Sequence, residues 1–419
     1  MSSSRVVDLI NTFSSPCECG LSHETTVKDI RIGSGLVFEV GKILKENSFP
    51  EKLLVVADRN TLRAADGILE SLDGFRVETV LFDNLRVADM IHVRLIEEKL
   101  RGREIGVLAI GTGSIHDPCR LAAARQKKQL CLFATAPSMD GFASYSSPIV
   151  EKGFKASYPA KSPEVIIGDT AILAAAPNRL KSAGFGDMVA KYVGLIDWKI
   201  ASLLTGERYC DAVAALARKA VDELMAMADR VTERDEETAG KIFEALLLTG
   251  IGMSFMKNSR PASGSEHIVA HLIECRELQE GKLPNLHGED VGVCTLETLK
   301  VYAKLAEKEK ITAHREKVDW DDVYAFYGPM AEDVRKLNEP DTIADAVDPA
   351  LLEKEWQLIR EAINSVPSYD VCREAMEKAG CLTTVAAIGK TDKFFAECEA
   401  YSPYMRRRLT LFRLRGMID

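Results

Sequence analysis

The sequence predicts a doubly wound α/β domain over residues 1–168, followed by an all-helical domain over residues 169–419. The first observation is length, because 419 residues exceed what one ordinary hydrophobic core holds together. The second is that short β-branched runs alternate with amphipathic stretches as far as Gly168, as strands alternate with helices in such a domain. The third is that the segments after Thr170 carry only the 3.6-residue periodicity of helices.

Buried parallel strands are predicted in the first domain, because its β-branched runs are apolar almost throughout. The predicted strands are residues 52–57, 75–82, 105–110, 130–134 and 165–168. A helix is predicted between two of them at residues 91–100, and the second domain has clear helical periodicity at 212–230 and 236–248. We expect a tightly packed cleft, not a flexible joint, between the domains.

Composition excludes several classes of function. Apolar residues make up 46% and charged residues 28% of the chain, as in a soluble globular protein. A net charge of −9 argues against nucleic-acid binding, since no basic surface offsets it. No apolar run approaches the roughly 20 residues of a membrane span, and residues 1–5 lack the apolar core of a signal peptide. We expect a cytoplasmic protein with no nucleic-acid or membrane partner.

Most of the ten cysteines stand singly, which is typical of reduced cytosolic thiols and not of a disulfide framework. The one cluster is Cys17-Glu-Cys19, with His23 four residues later. Two thiols and one imidazole make only a partial zinc knuckle, so we interpret this cluster as an exposed N-terminal segment. The basic run at residues 406–408 is interpreted as a helix face and not as a binding tail.

A phosphate-binding turn is predicted where the strand at 105–110 ends. Gly111-Thr-Gly113 opens a helical pattern that has Pro118 near its start. Glycines let the backbone approach a phosphate closely, and the unpaired N–H groups of a helix N-terminus bind the anion. His116 stands where a dinucleotide fingerprint has its third glycine, so an ordinary strand–helix turn is the alternative.

Two further turns favour a dinucleotide. Asp58 ends a predicted strand, where its carboxylate would accept ribose hydroxyls and repel a 2′-phosphate, favouring NAD over NADP. A helix cap is the alternative for this residue. Thr135, Ser138 and Asp140 occupy a turn just beyond another strand, at the sheet edge where ligands bind. Three such turns in one domain make a dinucleotide site more probable than any one of them does.

Three of the seven histidines fall between residues 267 and 287. His267 and His271 are four apart in a helix-compatible run, so both project from one helix face. His287 follows a break containing Gly281 and Pro284, which lets it return to the same point. Convergent imidazoles hold a divalent metal when an oxygen ligand joins them. Two core-edge histidines and a helix-capping histidine are the alternative.

Five segments in this order carry a resemblance to a known family: Gly111-Thr-Gly-Ser-Ile115, Thr135-Ala-Pro-Ser-Met-Asp-Gly141, Gly184-Phe-Gly-Asp187-Met-Val-Ala-Lys-Tyr192, Glu266-His267 with His271, and Leu286-His287-Gly288. Together they resemble the sn-glycerol-1-phosphate dehydrogenase family, whose wider group includes glycerol dehydrogenases and dehydroquinate synthases. The resemblance spans roughly residues 25–300. One departure is Thr112, where relatives usually carry a third glycine.

The resemblance implies a dehydroquinate synthase-like architecture, with a Rossmann-like first domain. It implies NAD(H) as cofactor, with NADP(H) as the alternative, and one divalent metal, zinc or nickel ahead of iron. Asp187, His267 and His287 would be the metal ligands. Asp140, Asp187 and His271 would contact the substrate and take part in catalysis. Beside Asp58, the dinucleotide would contact Gly111, Thr112, Gly113, Ser114, Ile115, Thr135, Ala136, Pro137, Ser138 and Ser144.

The activity implied is reversible hydride transfer from NAD(P)H to C2 of dihydroxyacetone phosphate, giving sn-glycerol 1-phosphate in a homo-oligomeric enzyme. The substrate phosphate needs cations, and Lys152, Lys155 and Lys161 form the nearest basic segment, with a solvated hairpin as the alternative. Within the same architecture, the alternatives are a glycerol dehydrogenase acting on an unphosphorylated polyol and a dehydroquinate synthase-like lyase. From another class, an inactive nucleotide-binding sensor is the alternative.

Overall fold

The computed structural model describes residues 5–13 and 17–419. The strands are β1 (Asp29–Gly33), β2 (Lys52–Asp58), β3 (Arg76–Phe82), β4 (Gly106–Gly111), β5 (Leu130–Ala134), β6 (Ser146–Glu151), β7 (Phe154–Pro159) and β8 (Val165–Asp169). Within the described residues they form a six-stranded parallel sheet of order β1-β8-β5-β4-β2-β3 and a separate antiparallel pair, β6-β7. Residues 1–4, where we expect no signal peptide, lie outside the described residues.

Helices accompany the sheet and then make up the rest of the chain. Those of the first part are α1 (Arg5–Thr12), α2 (Val40–Glu46), α3 (Arg59–Ala64), α4 (Met90–Leu100) and α5 (Gly113–Arg125). After β8 come α6 (Thr170–Ala175), α7 (Asn178–Val189), α8 (Lys191–Thr205), α9 (Asp211–Met225), α10 (Glu236–Met256), α11 (Ser265–Gln279), α12 (His287–Ala306), α13 (Trp320–Tyr327), α14 (Ala331–Asn338), α15 (Pro349–Asn364), α16 (Tyr369–Lys378), α17 (Asp392–Tyr401) and α18 (Leu411–Leu414).

The predicted fold class is confirmed, since a parallel sheet with helices precedes a helical second part. The largest core cluster runs across the junction: Ala134 and Ile166 of the sheet belong to it together with Phe185 and Phe243 of the helices. The two parts therefore share packed apolar surface where they meet. The division into domains at residue 168 stays a prediction.

The strand order creates a crevice at one end of the sheet. From β2 the chain moves outward to β3 on one side and then returns to β4 on the other. Strand order reverses between β2 and β4, and ligands of doubly wound sheets bind beyond the carboxyl ends of the strands at such a switch point. Asp58 ends β2 and Gly111 ends β4, so two of the predicted cofactor turns flank this crevice.

The prediction that every strand is buried on both faces is wrong for β3. This strand pairs only with β2 and forms an edge of the sheet, so most of its side chains are exposed, among them Val77 and Leu81. At the opposite edge, β1 was not predicted at all. Its sequence, Asp-Ile-Arg-Ile-Gly, is short and half charged or glycine, which hides the strand signal.

The basic segment after Ser144 is a β-hairpin, formed by β6 and β7. Lys152 and Gly153 make its two-residue turn, both with positive φ (53° and 79°), as a type I′ turn requires. The hairpin is only partly solvated, because Lys155 is buried. The sequence left two possibilities for this segment, a source of cations for the substrate phosphate and a solvated hairpin. The structure has features of both, because the segment is a hairpin and one of its lysines is buried.

The prediction that no segment spans a membrane agrees with the burial of the one apolar helix of sufficient length in the described residues, and two other sequence interpretations need correction. Helix α10 is long and apolar enough to cross a membrane by length and composition, yet 89% of its most apolar window is buried inside the molecule as a core helix. Residues 406–408 lie outside the helices, and Arg406 and Arg408 are half-buried and donate to the carbonyls of Lys155 and Ser263. The Cys17 cluster is no exposed segment, because His23 is only 4% exposed and Cys17 and Cys19 are half-buried. Local sequence does not reveal these tertiary contacts.

Helix α5 begins at Gly113, so Pro118 lies inside the helix and not near its start. His116, in its first turns, is fully buried and packs edge-on against Phe142, with ring centroids 5.5 Å apart. Burial lowers the pKa of His116 to about 3, helped by the positive charge of Arg120. The imidazole is therefore neutral in the folded protein at every pH near neutrality.

His116 should make the protein acid-sensitive. Below a pH of about 6.5, the unfolded chain takes up a proton at this residue that the folded chain refuses until about pH 3, so stability is lost as pH falls. Between pH 6 and 4 we expect the free energy of unfolding to fall faster in the unmodified protein than in the His116→Leu variant. The difference between the two slopes should be about 1.4 kcal/mol per pH unit. Urea unfolding at several pH values measures it, and parallel curves for the two proteins would contradict it.

Candidate active site

Three side chains from three helices converge in front of the sheet. Asp187 from α7, His267 from α11 and His287 at the start of α12 bring one ligand atom each to within 4.8 Å of one another. His267 Nε2 is 3.4 Å from Asp187 Oδ1. One carboxylate oxygen and two imidazole nitrogens are the donor set of a catalytic zinc-type site that keeps an open position.

His271 lies beside this group of three and not within it. It follows His267 by one helical turn, and its ring stacks on that of His287, with centroids 5.4 Å apart and planes 23° apart. Burial lowers the pKa of His271 well below its usual value, and the positive charges of Lys155 and Arg406 lower it further. A neutral His271 next to the predicted metal ligands is in the right place to touch a substrate.

Close backbone packing brings the ligands together. A Cβ atom at Gly184 would overlap the carbonyl oxygen of Pro137, and one at Gly288 would overlap the carbonyl of Ala183. Because neither position has a side chain, α7 lies directly against both the loop after β5 and the first turn of α12. Asp187 follows Gly184 by almost one turn, so this contact sets its position relative to His287.

Lys191 is fully buried between two carboxylates, and sequence analysis assigned it no role. Its Nζ lies 2.7 Å from Asp140 Oδ2 and 2.8 Å from Asp187 Oδ1. Burial alone would raise the pKa of Asp187, but Lys191 and the neighbouring histidines hold it below its usual range. Lys191 thereby keeps Asp187 ionised, as a metal ligand must be. Its position four residues after Asp187 was the available signal.

His267 is oriented from behind by a buried carboxylate. Its Nδ1 lies 2.6 Å from Glu266 Oε1, which also accepts the Gly264 N–H at 2.9 Å. A metal-binding imidazole commonly donates its second N–H to a carboxylate, which fixes the ring and leaves the other nitrogen free. Here that free atom is Nε2, the one facing Asp187. The donors present therefore fit a divalent metal.

The predicted phosphate turn lies at the N-terminus of α5. Thr112 is its N-cap residue without a side-chain cap, and the first intrahelical donors are the N–H groups of Ile115 and His116. The N–H groups of Gly113 and Ser114 precede them, at the positive end of a 13-residue helix. Gly111 has a φ of 155°, a conformation that other residues rarely adopt, so the turn favours glycine there. The arrangement fits a dinucleotide phosphate.

The second predicted turn lies next to the first. Thr135, Ala136, Pro137 and Ser138 are buried beyond β5, and the Thr135 N–H donates to the Gly111 carbonyl at 3.0 Å. The following loop, which carries the buried Ser144, is held by a further residue that the sequence did not reveal. Arg120, fully buried on α5, donates to the carbonyls of Gly141 (2.5 Å), Phe142 (3.1 Å) and Ser146 (3.2 Å).

Asp58 caps α3, the alternative raised for it from the sequence. Its Oδ1 accepts the N–H groups of Asn60 and Thr61, and its Oδ2 accepts the Leu85 N–H at 3.1 Å. The residue is only 4% exposed. Both oxygens are thus engaged by the backbone, and a contact to the ribose stays a prediction.

Comparison with known proteins gives the family. A family model described as iron-containing alcohol dehydrogenase matches residues 31–177. The glycerol-1-phosphate dehydrogenase (NAD(P)+) of Bacillus licheniformis is 33% identical over 364 residues, which are 83% of this chain and 87% of the relative. The chain belongs to the glycerol-1-phosphate dehydrogenase family. The glycerol-1-phosphate dehydrogenase (NAD(P)+) of Methanothermobacter thermautotrophicus is 31% identical over 366 residues, which are 85% of this chain and 97% of the relative.

Solved structures share the fold of this family member at lower identity. NADH-dependent butanol dehydrogenase A from Thermotoga maritima superposes with a TM-score of 0.62 at 14% identity, covering 94% of each chain. Glycerol dehydrogenase from Schizosaccharomyces pombe gives a TM-score of 0.54 at 19% identity, covering 87% of this chain and 95% of the other.

Gly184→Ala should damage the metal site from behind. Replacing glycine by alanine inside a helix stabilises the helix by up to about 1 kcal/mol. At Gly184, however, the new Cβ would overlap the backbone carbonyl of Pro137, and the overlap can be relieved only if α7 moves. We expect the overlap to win, lowering the free energy of unfolding by about 1–3 kcal/mol and lowering metal occupancy. Urea unfolding and metal analysis measure both. Gly416→Ala, where a Cβ meets open space, is the control, and a fully loaded, equally stable Gly184→Ala protein would contradict the argument.

Proposed function

We propose that this protein is an sn-glycerol-1-phosphate dehydrogenase, which reduces dihydroxyacetone phosphate with NADH or NADPH in a metal-dependent reaction. The named relatives support the substrate and cofactor, and the convergent ligand set supports the metal. A cytoplasmic location and assembly into a homo-oligomer belong to the same proposal. Zinc or nickel is the preferred metal, because both accept one carboxylate and two imidazoles.

The single observation that carries the proposal is a pair of cations beside the histidines, a buried lysine and a half-buried arginine. Lys155 on β7 and Arg406 near the C-terminus both lower the pKa of His271, after burial and together with His287. An Arg406 guanidinium nitrogen donates to the Lys155 carbonyl at 2.7 Å, so the two residues are in direct contact. The phosphate of the substrate is attached to the carbon next to the reacting ketone. It therefore needs positively charged partners close to the predicted metal ligands.

Arg406 is the more telling of the two cations. Lys155 pairs with Glu274 at 2.7 Å, whereas Arg406 forms no carboxylate ion pair in the part of the chain that the structure describes. Arg406 donates instead to the carbonyls of Met405 and Lys155. Burial lowers the pKa of Arg406. Withdrawing a guanidinium partly from water without a carboxylate partner is costly, and an anion from the substrate would supply that partner.

The chain's own residues then have distinct tasks. When bound, the metal polarises the ketone oxygen and the nicotinamide supplies hydride. Asp187, His267 and His287 hold the metal, and Lys191 balances the charge of Asp187 and Asp140. The neutral His271 hydrogen-bonds the substrate oxygens and relays a proton to the alcohol oxygen that forms, one ring nitrogen giving up its proton while the other takes one from water, which leaves hydroxide to solvent. The N-terminus of α5 and the loop after β5 orient the dinucleotide.

The cation pair also separates this proposal from the other members of the architecture. The substrate of a glycerol dehydrogenase carries no anion. In such an enzyme the desolvation of Lys155 and Arg406 would destabilise the protein without contributing to substrate binding. A dehydroquinate synthase-like lyase would show no net consumption of NADH. Chiral analysis of the glycerol phosphate formed from dihydroxyacetone phosphate and NADH, with the bound metal quantified, tests the proposal. Product of the sn-3 configuration, or no net NADH oxidation, would overturn it.

Removing either cation should weaken binding of the phosphorylated substrate. A hydrogen bond to a charged group contributes about 1.5–3 kcal/mol, so Lys155→Met and Arg406→Gln should each raise KM for dihydroxyacetone phosphate roughly 10- to 100-fold. The slower reduction of unphosphorylated dihydroxyacetone should change far less, because it lacks the anion. Steady-state kinetics with both substrates measure the contrast.

Two neighbours serve as matched controls. Lys152 lies exposed in the turn of the same hairpin, and Arg407 pairs with Asp341 at the surface. Lys152→Met and Arg407→Gln should leave KM for both substrates unchanged. If Lys155→Met and Arg406→Gln weakened the two substrates equally, these cations would support the site's structure and would not recognise the phosphate.

His271 and the predicted metal ligands should separate in one experiment. His267→Ala and His287→Ala should lose bound metal together with activity. His271→Ala should retain the metal and lose turnover by about 10²–10⁴-fold, as for a positioned acid–base group. His271→Asn, which hydrogen-bonds but exchanges no proton near neutrality, should recover substrate binding more than rate. Metal loss from His271→Ala as complete as from His267→Ala would make His271 a ligand.

A further inference from the structure

The N-terminal cysteine cluster acquires a fourth member in the fold. Cys17, Cys19, His23 and Cys210 bring three sulfur atoms and one imidazole nitrogen to within 4.8 Å of one another. Cys210 immediately precedes α9 and stands 187 residues after His23 along the chain. In the sequence only Cys17, Cys19 and His23 lie close together. Three ligands were too few to predict a metal site.

The separations match those of a tetrahedral metal centre. Cys17 Sγ is 3.6 Å from Cys210 Sγ, and His23 Nε2 is 3.5 Å from Cys19 Sγ and 3.4 Å from Cys210 Sγ. With zinc–sulfur bonds of about 2.3 Å and a zinc–nitrogen bond of about 2.0 Å, tetrahedral geometry requires roughly 3.8 Å between sulfurs and roughly 3.5 Å between sulfur and nitrogen. A shared ion at the centre accounts for all three distances at once.

The backbone and the surrounding side chains aim these ligands. The Gly20 N–H donates to the Cys17 carbonyl at 2.8 Å, and Gly20 has a φ of 77°, so residues 17–20 form a tight turn. The His23 ring is held edge-on by Phe13 (5.6 Å between centroids) and tilted against Phe255 (5.3 Å). Cys210 is fully buried. The site is thus walled by aromatic rings on the histidine side.

We propose that Cys17, Cys19, His23 and Cys210 bind a structural zinc ion. Thiolate and imidazole ligands select zinc, and four protein ligands leave no position open for a substrate. The ion would fasten the segment before β1 to the start of α9 in the helical part. The proposal is independent of the active site, whose ligands contain no sulfur.

Cobalt substitution tests the proposal on the unmodified full-length chain. The tag-free protein, kept reduced and stripped of metal, is reloaded with Co²⁺ and its near-ultraviolet spectrum recorded. We expect a thiolate-to-cobalt charge-transfer band, which an aspartate–histidine site cannot produce, and a second equivalent of zinc per chain after zinc loading. A cobalt-loaded chain without that band, or a Cys17–Cys210 disulfide in a non-reducing peptide map of the freshly purified protein, would overturn the proposal.

A pair of cysteine variants locates the band. Cys19→Ser removes a half-buried ligand and should lose the charge-transfer band and the second zinc equivalent, while the metal at Asp187, His267 and His287 remains. Cys381→Ser removes a half-buried thiol outside the cluster and should keep both. A band that persists unchanged in Cys19→Ser would overturn the assignment. The spectrum of the unmodified chain decides the question whether or not Cys19→Ser folds.

Discussion

The active site depends on one buried ammonium group held between two carboxylates. Asp140 comes from the loop after β5 and Asp187 from α7, so Lys191 joins the sheet side of the cleft to the helical side. Two carboxylates this close would repel each other and drive one to take a proton. Lys191 favours the charged form of both: it holds the pKa of Asp187 below its usual range, whereas burial and the charge of Asp187 leave the pKa of Asp140 raised. Asp187 can therefore present a charged oxygen beside the two imidazoles. Breaking such a buried network commonly costs 3–5 kcal/mol.

The tasks of the site are divided between the two parts of the chain. The described contacts place the predicted dinucleotide groups on β4, α5 and the loop after β5, at the point where strand order reverses. The predicted metal ligands all come from helices α7, α11 and α12. Glycines at 184 and 288 let these helices approach each other and the loop without intervening side chains. The predicted site therefore lies where two differently built surfaces meet.

Sequence patterns predicted the parts of this arrangement that are local. Continuous apolar runs identified β2, β4, β5 and β8, and the four-residue spacing of His267 and His271 predicted their shared helix face. What pattern could not reveal was partnership over long separations. Cys210 joins His23 across 187 residues, and Arg406 reaches Lys155 across 251. Edge strands β1 and β3 were misjudged for a similar reason, because exposure depends on which neighbour a strand lacks.

The hydrogen bond from the Asp140 N–H to Asp187 Oδ2, 2.9 Å long, links the two kinds of ligand in one thermodynamic cycle. Asp140 ends the loop predicted to hold the dinucleotide, and Asp187 is a predicted metal ligand. Ordering the loop that contains Asp140 would restrict the motion of the Asp187 carboxylate. Binding a cation at Asp187 Oδ1 would in turn restrict the motion of that loop. Free-energy coupling of this kind is reciprocal. A dinucleotide bound by this loop would therefore change the affinity for a metal at Asp187 by the same factor as the metal would change the affinity for the dinucleotide.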